Sequence, residues 1–180
     1  MTCIIGIKDK TSGKVTLAGD TRAASSSEYI ETLCKVFQVD DFIFASSGSP
    51  KVAQTIKYYW EPPVKAEGTS DEQYLFCDVI YSLKELITSH DEIKLIDASS
   101  LVLVYKNNMY EIEGSFAMYR HEEFVSIGSG MAYAYGFYEG SGRNVTHKNF
   151  LESAFAAVAK HSHHCSREFY ELTLEGNKDE

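Results

Sequence analysis

At Pro50 the hydrophobic pattern of this chain changes period, and that change constrains the fold more than any other feature. Before it, apolar runs rich in β-branched residues come in pairs. Residues 2–8 and 14–20 are split by the turn signal Thr11-Ser12-Gly13, and KVFQV and DFIFASSG flank Asp40-Asp41. After it, Val52, Ile56 and Tyr59 recur at helical spacing, with Pro50 suited to a first turn. EPPVKAEGTS reads as a loop, Ser70 with Asp71 as a cap, and Leu75, Val79, Leu83 and Leu86 predict an amphipathic helix over 71–89. Strand patterns return in LVLVYK, MYEIEG and EFVSIG, the first two joined at Asn107-Asn108. MAYAYGFYEG then predicts a helix ending at Gly140, and Phe150, Leu151, Ala154, Phe155 and Val158 predict another over 147–161. EFYELTLE closes the pattern as a strand.

Strands and helices therefore come in blocks rather than in strict βαβ alternation. Such an order predicts an α+β fold in which antiparallel sheets and helices pack as layers. No internal repeat, low-complexity stretch or linker divides the chain, and its 180 residues fit one domain, 1–180, with a sizeable core. Its 17 basic residues are scattered among 26 acidic ones, for a net charge of −9, which argues against a nucleic-acid partner. The apolar runs fall short of the roughly 20 residues of a membrane span. No basic segment precedes CIIGI, which Lys8, Asp9 and Lys10 interrupt at once, so no signal peptide is expected. Cys3, Cys34, Cys77 and Cys165 form no CxxC pair and are expected to be reduced thiols of a cytoplasmic protein.

The chemistry concentrates at the start of the chain. Once Met1 is removed, Thr2 carries a hydroxyl nucleophile and a free amine on one residue, and an α-amine titrating near pH ~8 is partly neutral and able to act as a base. On position alone Thr2 reads more readily as a small residue tolerated behind the initiator. Three further stretches bear on that choice: LAGDTRA ends a strand with Asp20, CKVFQVDDFIFASSGS sets Lys35 at the start of one strand and Gly48 at the end of the next, and VSIGSGMAYAYG delivers Ser129 between two glycines. Together with Thr2, these resemble the β-type subunits of the proteasome and the bacterial HslV peptidase, members of the N-terminal-nucleophile hydrolases. The resemblance runs from Thr2 to about residue 160, and GDTRA and IGSGxxYAxG are specific in combination.

The resemblance implies a four-layer αββα sandwich and a threonine-type endopeptidase acting on polypeptides without a cofactor. It carries the family's nucleophile onto Thr2, its strand-end aspartate onto Asp20, its lysine onto Lys35, its serine onto Ser129 and its oxyanion-hole amide onto Gly48. It also implies homo-oligomeric stacked rings served by an ATP-dependent unfoldase. Tyr58, Tyr59 and Trp60, with Tyr133, Tyr135, Phe137 and Tyr138, are candidate contact aromatics, core packing being the other reading. The short chain, with only Met1 before Thr2, looks more like HslV, whereas GDTRA is closer to the proteasome wording.

Two departures stand out. Cys3 follows the nucleophile where the family has Thr or Ser, and alternation along a strand turns it to the opposite face. The family's later aspartate has no counterpart; AVAKHSHHCSRE puts His161, or Lys160 with a one-residue shift, in its place. A neutral histidine accepts a hydrogen bond but supplies no negative charge. His161, His163, His164 and Cys165 are metal-ligand types at helical spacing, yet no second ligand cluster completes a tetrahedral site, and an ordinary polar helix end is the expectation. The rival reading is an inactive ring-forming subunit that keeps the fold without the chemistry. A third is hydrolysis of a small-molecule amide by the same nucleophile.

Overall fold

A computed structural model describes residues 2–24, 29–30, 34–89, 99–142 and 147–174. Strand β1 (Ile4–Lys8) pairs antiparallel with β2 (Val15–Asp20), Ile4 opposite Gly19 and Lys8 opposite Val15. The turn between them is local chemistry: the Asp9 carboxylate accepts the N–H groups of Thr11 and Ser12 at 3.0 and 2.7 Å, and Gly13 takes a φ of 70°. Strands β3 (Ala23–Ala24) and β4 (Tyr29–Ile30) form a two-residue ribbon. Strands β5 (Val36–Val39) and β6 (Phe42–Ser47) pair around Asp40, whose φ is 48°. Strands β7 (Ser100–Tyr105) and β8 (Asn108–Ile112) turn at Lys106 and Asn107, both with positive φ, as a tight hairpin requires.

Strand β9 (Met118–His121) ends a five-stranded sheet of order β5-β6-β7-β8-β9. Strands β10 (Phe124–Ile127) and β11 (Phe169–Thr173) flank the first hairpin in a four-stranded sheet of order β10-β1-β2-β11. Side-chain alternation decides how the sheets stack. Ile4, Leu17, Ile43, Ala45, Val102 and Val104 fill one cluster between the two sheets. The alternate residues Ile5, Ile7 and Ala18 face the opposite way, as do Phe42 and Phe44 in the other sheet. Those outward faces are covered by helices, so the central strands are apolar on both sides rather than half polar.

Helix α1 (Pro50–Tyr59) and a longer helical run α2 cover the five-stranded sheet. The run begins at Ser70, whose side chain accepts the Gln73 N–H, and passes through Asp71–Gln73, a π-helical stretch Tyr74–Val79 and Ile80–Ser89. Helices α3 (Met131–Gly140) and α4 (His147–His161) cover the four-stranded sheet. The result is a four-layer αββα sandwich. Phe42, Phe44, Trp60, Tyr74 and Tyr105 interlock under α1 and α2, with Trp60 edge-on to Phe44 at 5.2 Å between ring centroids. Trp60 also donates its indole N–H to Ser82 Oγ at 2.9 Å, fixing α1 against α2.

The elements expected from the sequence are present with small shifts at their ends. Strand β9 was not legible because its residues MYRH are only partly buried and show no apolar alternation. The π-helical stretch also escaped, since a single wide turn leaves the apolar spacing of the whole run nearly helical. The residue Glu175 at the end of EFYELTLE lies outside the described residues. Among the aromatics singled out for contacts, Trp60 and Tyr138 are core residues, whereas Tyr58 and Tyr59 are 69% and 65% exposed.

Candidate active site

Each site residue sits where a strand ends, and one buried ion pair gathers them. Asp20, the last residue of β2, is fully buried, and its carboxylate is surrounded by donors. Oδ1 accepts the Cys3 N–H at 2.7 Å and the Lys35 ammonium at 2.6 Å. Oδ2 accepts the backbone N–H groups of Arg22 and Ser166, each at 3.2 Å. The Lys35 ammonium also donates to the Arg22 carbonyl. Lys35 lies directly before β5, so the pair joins strand ends of the two sheets in the interior. Burying these charges costs several kcal/mol per ion, which only such a full set of hydrogen bonds offsets.

The rest of the GDTR motif is tied to the segment after α4. Thr21 exchanges hydrogen bonds with Ser166, and Arg22 Nη1 donates to the His163 carbonyl at 2.9 Å. The Asp20 N–H donates to the Cys3 carbonyl at 3.0 Å, which extends the β1–β2 ladder to the residue behind Thr2.

Thr2 is 4% exposed and is held from the other side by the turn between β10 and α3. Its N–H donates to Ser129 Oγ at 3.2 Å, and its carbonyl accepts the Gly130 N–H at 3.1 Å. This approach requires glycine at 128. Its φ is 90°, and a Cβ there would overlap the Thr2 carbonyl oxygen and stand 2.8 Å from Ser47 Oγ. A Cβ at Gly130 would stand 2.7 Å from Cys3 Cβ. The Gly-Ser-Gly triplet is therefore a seat for the backbone of residues 2 and 3, with the serine hydroxyl reaching the nitrogen.

A cleft of ≈ 170 Å³ opens beside Thr2, and Lys35 and Gly48 line it with Thr2. Gly48, just after β6, has a φ of 106° and leads through Ser49 into α1, so the positive end of the helix dipole points toward the same cleft. All five residues expected from the sequence come to one place. Ser129 accepts the Thr2 N–H and Asp20 holds the next residue, Cys3, and Lys35, while Lys35 and Gly48 line the cleft with Thr2. Met1, whose removal would free the Thr2 amine, lies outside the described residues.

Cys3 turns away, as alternation required. It packs among the residues beneath α3 and α4, and burial pushes its thiol far above the ordinary range, so it is held as a neutral thiol. The HSHHC stretch does not converge. His161 is exposed and stacks on Tyr133, their ring centroids 5.6 Å apart. Cys165 instead is buried, with Sγ 3.9 Å from Ser129 Oγ and accepting from Ser162 Oγ at 3.5 Å. Burial raises its thiol pKa as well. The neighbour of Ser129 is thus an uncharged sulfur and not His161 or Lys160. The sequence carried no signal for the Ser166 N–H or for Cys165, because both reach the site only through the turn that follows α4.

A fold of this kind, with a threonine seated at the end of a sheet over a buried lysine–aspartate pair, defines a class of N-terminal-nucleophile proteins. A profile of the proteasome subunit family matches residues 2–174, and the chain belongs to that family. Solved structures share the fold at low sequence identity. BPH from Thiobacillus denitrificans superposes with a TM-score of 0.78 at 18% identity, covering 99% of this chain and 100% of that one. HslV from Trypanosoma brucei gives a TM-score of 0.71 at 17% identity, with 97% and 99% coverage. Anbu, an ancestral beta-subunit from Yersinia bercovieri, gives 0.69 at 13% identity, with 96% and 81% coverage. No curated protein sequence matches the chain.

Replacing Gly128 with alanine is expected to cost more than about 2 kcal/mol, since it combines a disfavoured φ with a backbone clash. Gly136 lies inside α3 with nothing within 4 Å of an added Cβ, and Gly136→Ala is expected to stabilise by about 0.5–1 kcal/mol. Urea midpoints of the two variants against the parent measure both signs, and a tolerated Gly128→Ala would contradict the seat described for Thr2.

Proposed function

We propose that this proteasome-family chain is a threonine-type endopeptidase subunit that hydrolyses polypeptides through Thr2 after removal of Met1. The observation that carries the reading is the gathering around Thr2 of a hydroxyl at its nitrogen, a buried lysine–aspartate pair and Gly48, with Thr2, Lys35 and Gly48 lining one cleft. The free amine of Thr2 accepts the proton of its own Oγ as the oxygen attacks the substrate carbonyl. The Lys35 ammonium disfavours protonation of that amine, and Asp20 keeps the lysine charged and oriented. Ser129 orients the amine. The Gly48 N–H receives the oxyanion of the tetrahedral intermediate, with the α1 dipole favouring the same charge. Collapse of the intermediate passes the proton to the departing amine of the substrate and leaves an acyl ester on Thr2. Water, deprotonated by the Thr2 amine, then releases the acid product.

The ring architecture belongs to the same proposal. The exposed Tyr59, Phe76 and Tyr81 on α1 and α2 are apolar surface that assembly of identical subunits into stacked rings would bury. A closed chamber admits only unfolded chains, so an ATP-driven unfoldase is the expected partner. Light scattering should then give a particle many times the 20.2 kDa of one chain, and a strict monomer would count against a chamber. One observation favours the rival reading of an inactive subunit: Cys165, with no charge, stands beside Ser129.

Thr2 chemistry separates the two readings. BPH from Thiobacillus denitrificans has been solved in complex with epoxomicin, which makes that compound a suitable probe. Intact mass is expected to show loss of Met1 and one epoxomicin per chain, and Thr2→Ala should abolish labelling and lower fluorogenic-peptide hydrolysis by at least about 10³-fold. Retained Met1 with neither labelling nor turnover would establish the inactive subunit. Hydrolysis by the parent should fall on the acid side as the Thr2 amine protonates. In Lys35→Met that limb should move up by about one pH unit, because removing a nearby cation makes the amine easier to protonate.

A further inference from the structure

The cleft beside Thr2 carries a charge pattern that the catalytic reading leaves unused. Its long wall is one face of α1: Pro50, Ala53, Gln54, Lys57 and Tyr58 line it at helical spacing, opposite the buried Val52, Thr55 and Ile56. Because the helix begins beside Gly48, this wall leads away from the reacting atoms. Lys57 lies seven residues on from Pro50, about 10 Å along at 1.5 Å per residue. Its ammonium lies 5.4 Å from the centroid of the Tyr58 ring, which restricts where the charge can sit. Among the described residues no carboxylate pairs with Lys57 and none lines the cleft. The second lysine of the cleft, Lys35, is committed to Asp20 in the interior. A protein with a net charge of −9 therefore presents, in the cleft that leads from Thr2, a lysine with no carboxylate partner among the described residues.

We propose that Lys57 makes this cleft selective for an acidic side chain, glutamate or aspartate, on the residue whose carbonyl Thr2 attacks. The inference rests on the hydrolase reading for its place in the reaction, but the recognition itself is a property of the cleft. A bound carboxylate pairs with Lys57 against the Tyr58 ring, while Ala53 and Phe37 contact its methylene stem. A basic side chain would meet a like charge with no described carboxylate in the cleft to offset it. Surface ion pairs are individually weak, so the selectivity is expected to be modest and to fade as salt rises.

Binding of acetylated tripeptide amides that differ only in the last residue, Glu, Gln, Leu or Lys, tests this directly on the assembled Thr2→Ala protein by calorimetry. The Glu peptide is expected to bind at least about five-fold tighter than its Gln isostere, with the Lys peptide weakest. Lys57→Met should erase the Glu-over-Gln difference, and Lys57→Glu should reverse the order of the Glu and Lys peptides. Fluorogenic peptides with the same four residues before the cleaved bond should show the same ranking in kcat/KM with the Thr2 protein. Equal binding of Glu and Gln peptides, or a preference for Leu that survives Lys57→Glu, overturns the proposal. Selective binding without turnover would instead sink the hydrolase reading and leave the cleft's acidic preference standing.

Discussion

The Asp20–Lys35 pair is the contact on which the geometry of the site depends. Two opposite charges with 0% and 4% side-chain exposure sit 2.6 Å apart between the ends of β2 and β5. Alone, such a pair would be a poor source of stability, since desolvation rivals the attraction. Here the carboxylate also receives backbone N–H groups from Cys3, Arg22 and Ser166, segments far apart in sequence. Hydrogen bonds to an ionised acceptor are the strong ones, and an unsatisfied member would be costly. The pair therefore selects a single arrangement of the chain start, the GDTR turn and the segment after α4.

That arrangement works because the sheets are covered on both faces. With α1 and α2 on one side and α3 and α4 on the other, Asp20 and Lys35 are withdrawn from water and their attraction acts through a lower dielectric. Thr2 emerges at the one end of β1 where Gly128 and Gly130 let backbone approach backbone. Thr2 is thus positioned by main chain, which side-chain motion does not loosen.

Cys165 shows how a fold can keep such a site while changing one neighbour. A buried thiol next to Ser129 fills the space and offers a weak hydrogen bond, but it leaves Asp20 as the carboxylate that serves the Thr2 end of the chain. The Asp20–Lys35 pair then supplies the described charges beside Thr2, with α1 contributing its dipole from the cleft side. The face of the same helix that lines the cleft carries Lys57, so the helix N-terminus and a lysine side chain both add positive potential along it.

Much of this was legible in the chain. Alternation and helical spacing marked most strands and helices, because burial on one or two faces leaves a period in the apolar residues. The block order implied layers, and Thr2, Asp20, Lys35, Gly48 and Ser129 stood out through the motifs around them. Five things were decided only by tertiary packing. Strand β9 had no apolar period of its own, and the π-helical stretch hid within a helical one. His161 fell on an exposed face, stacked on Tyr133, while Cys165 and the Ser166 N–H turned inward. The direction of the turn after α4 set that exchange, and a turn's direction depends on what the preceding helix packs against. Sequence spacing records which residues repeat on one face; it cannot record which side chain from a distant loop arrives beside them.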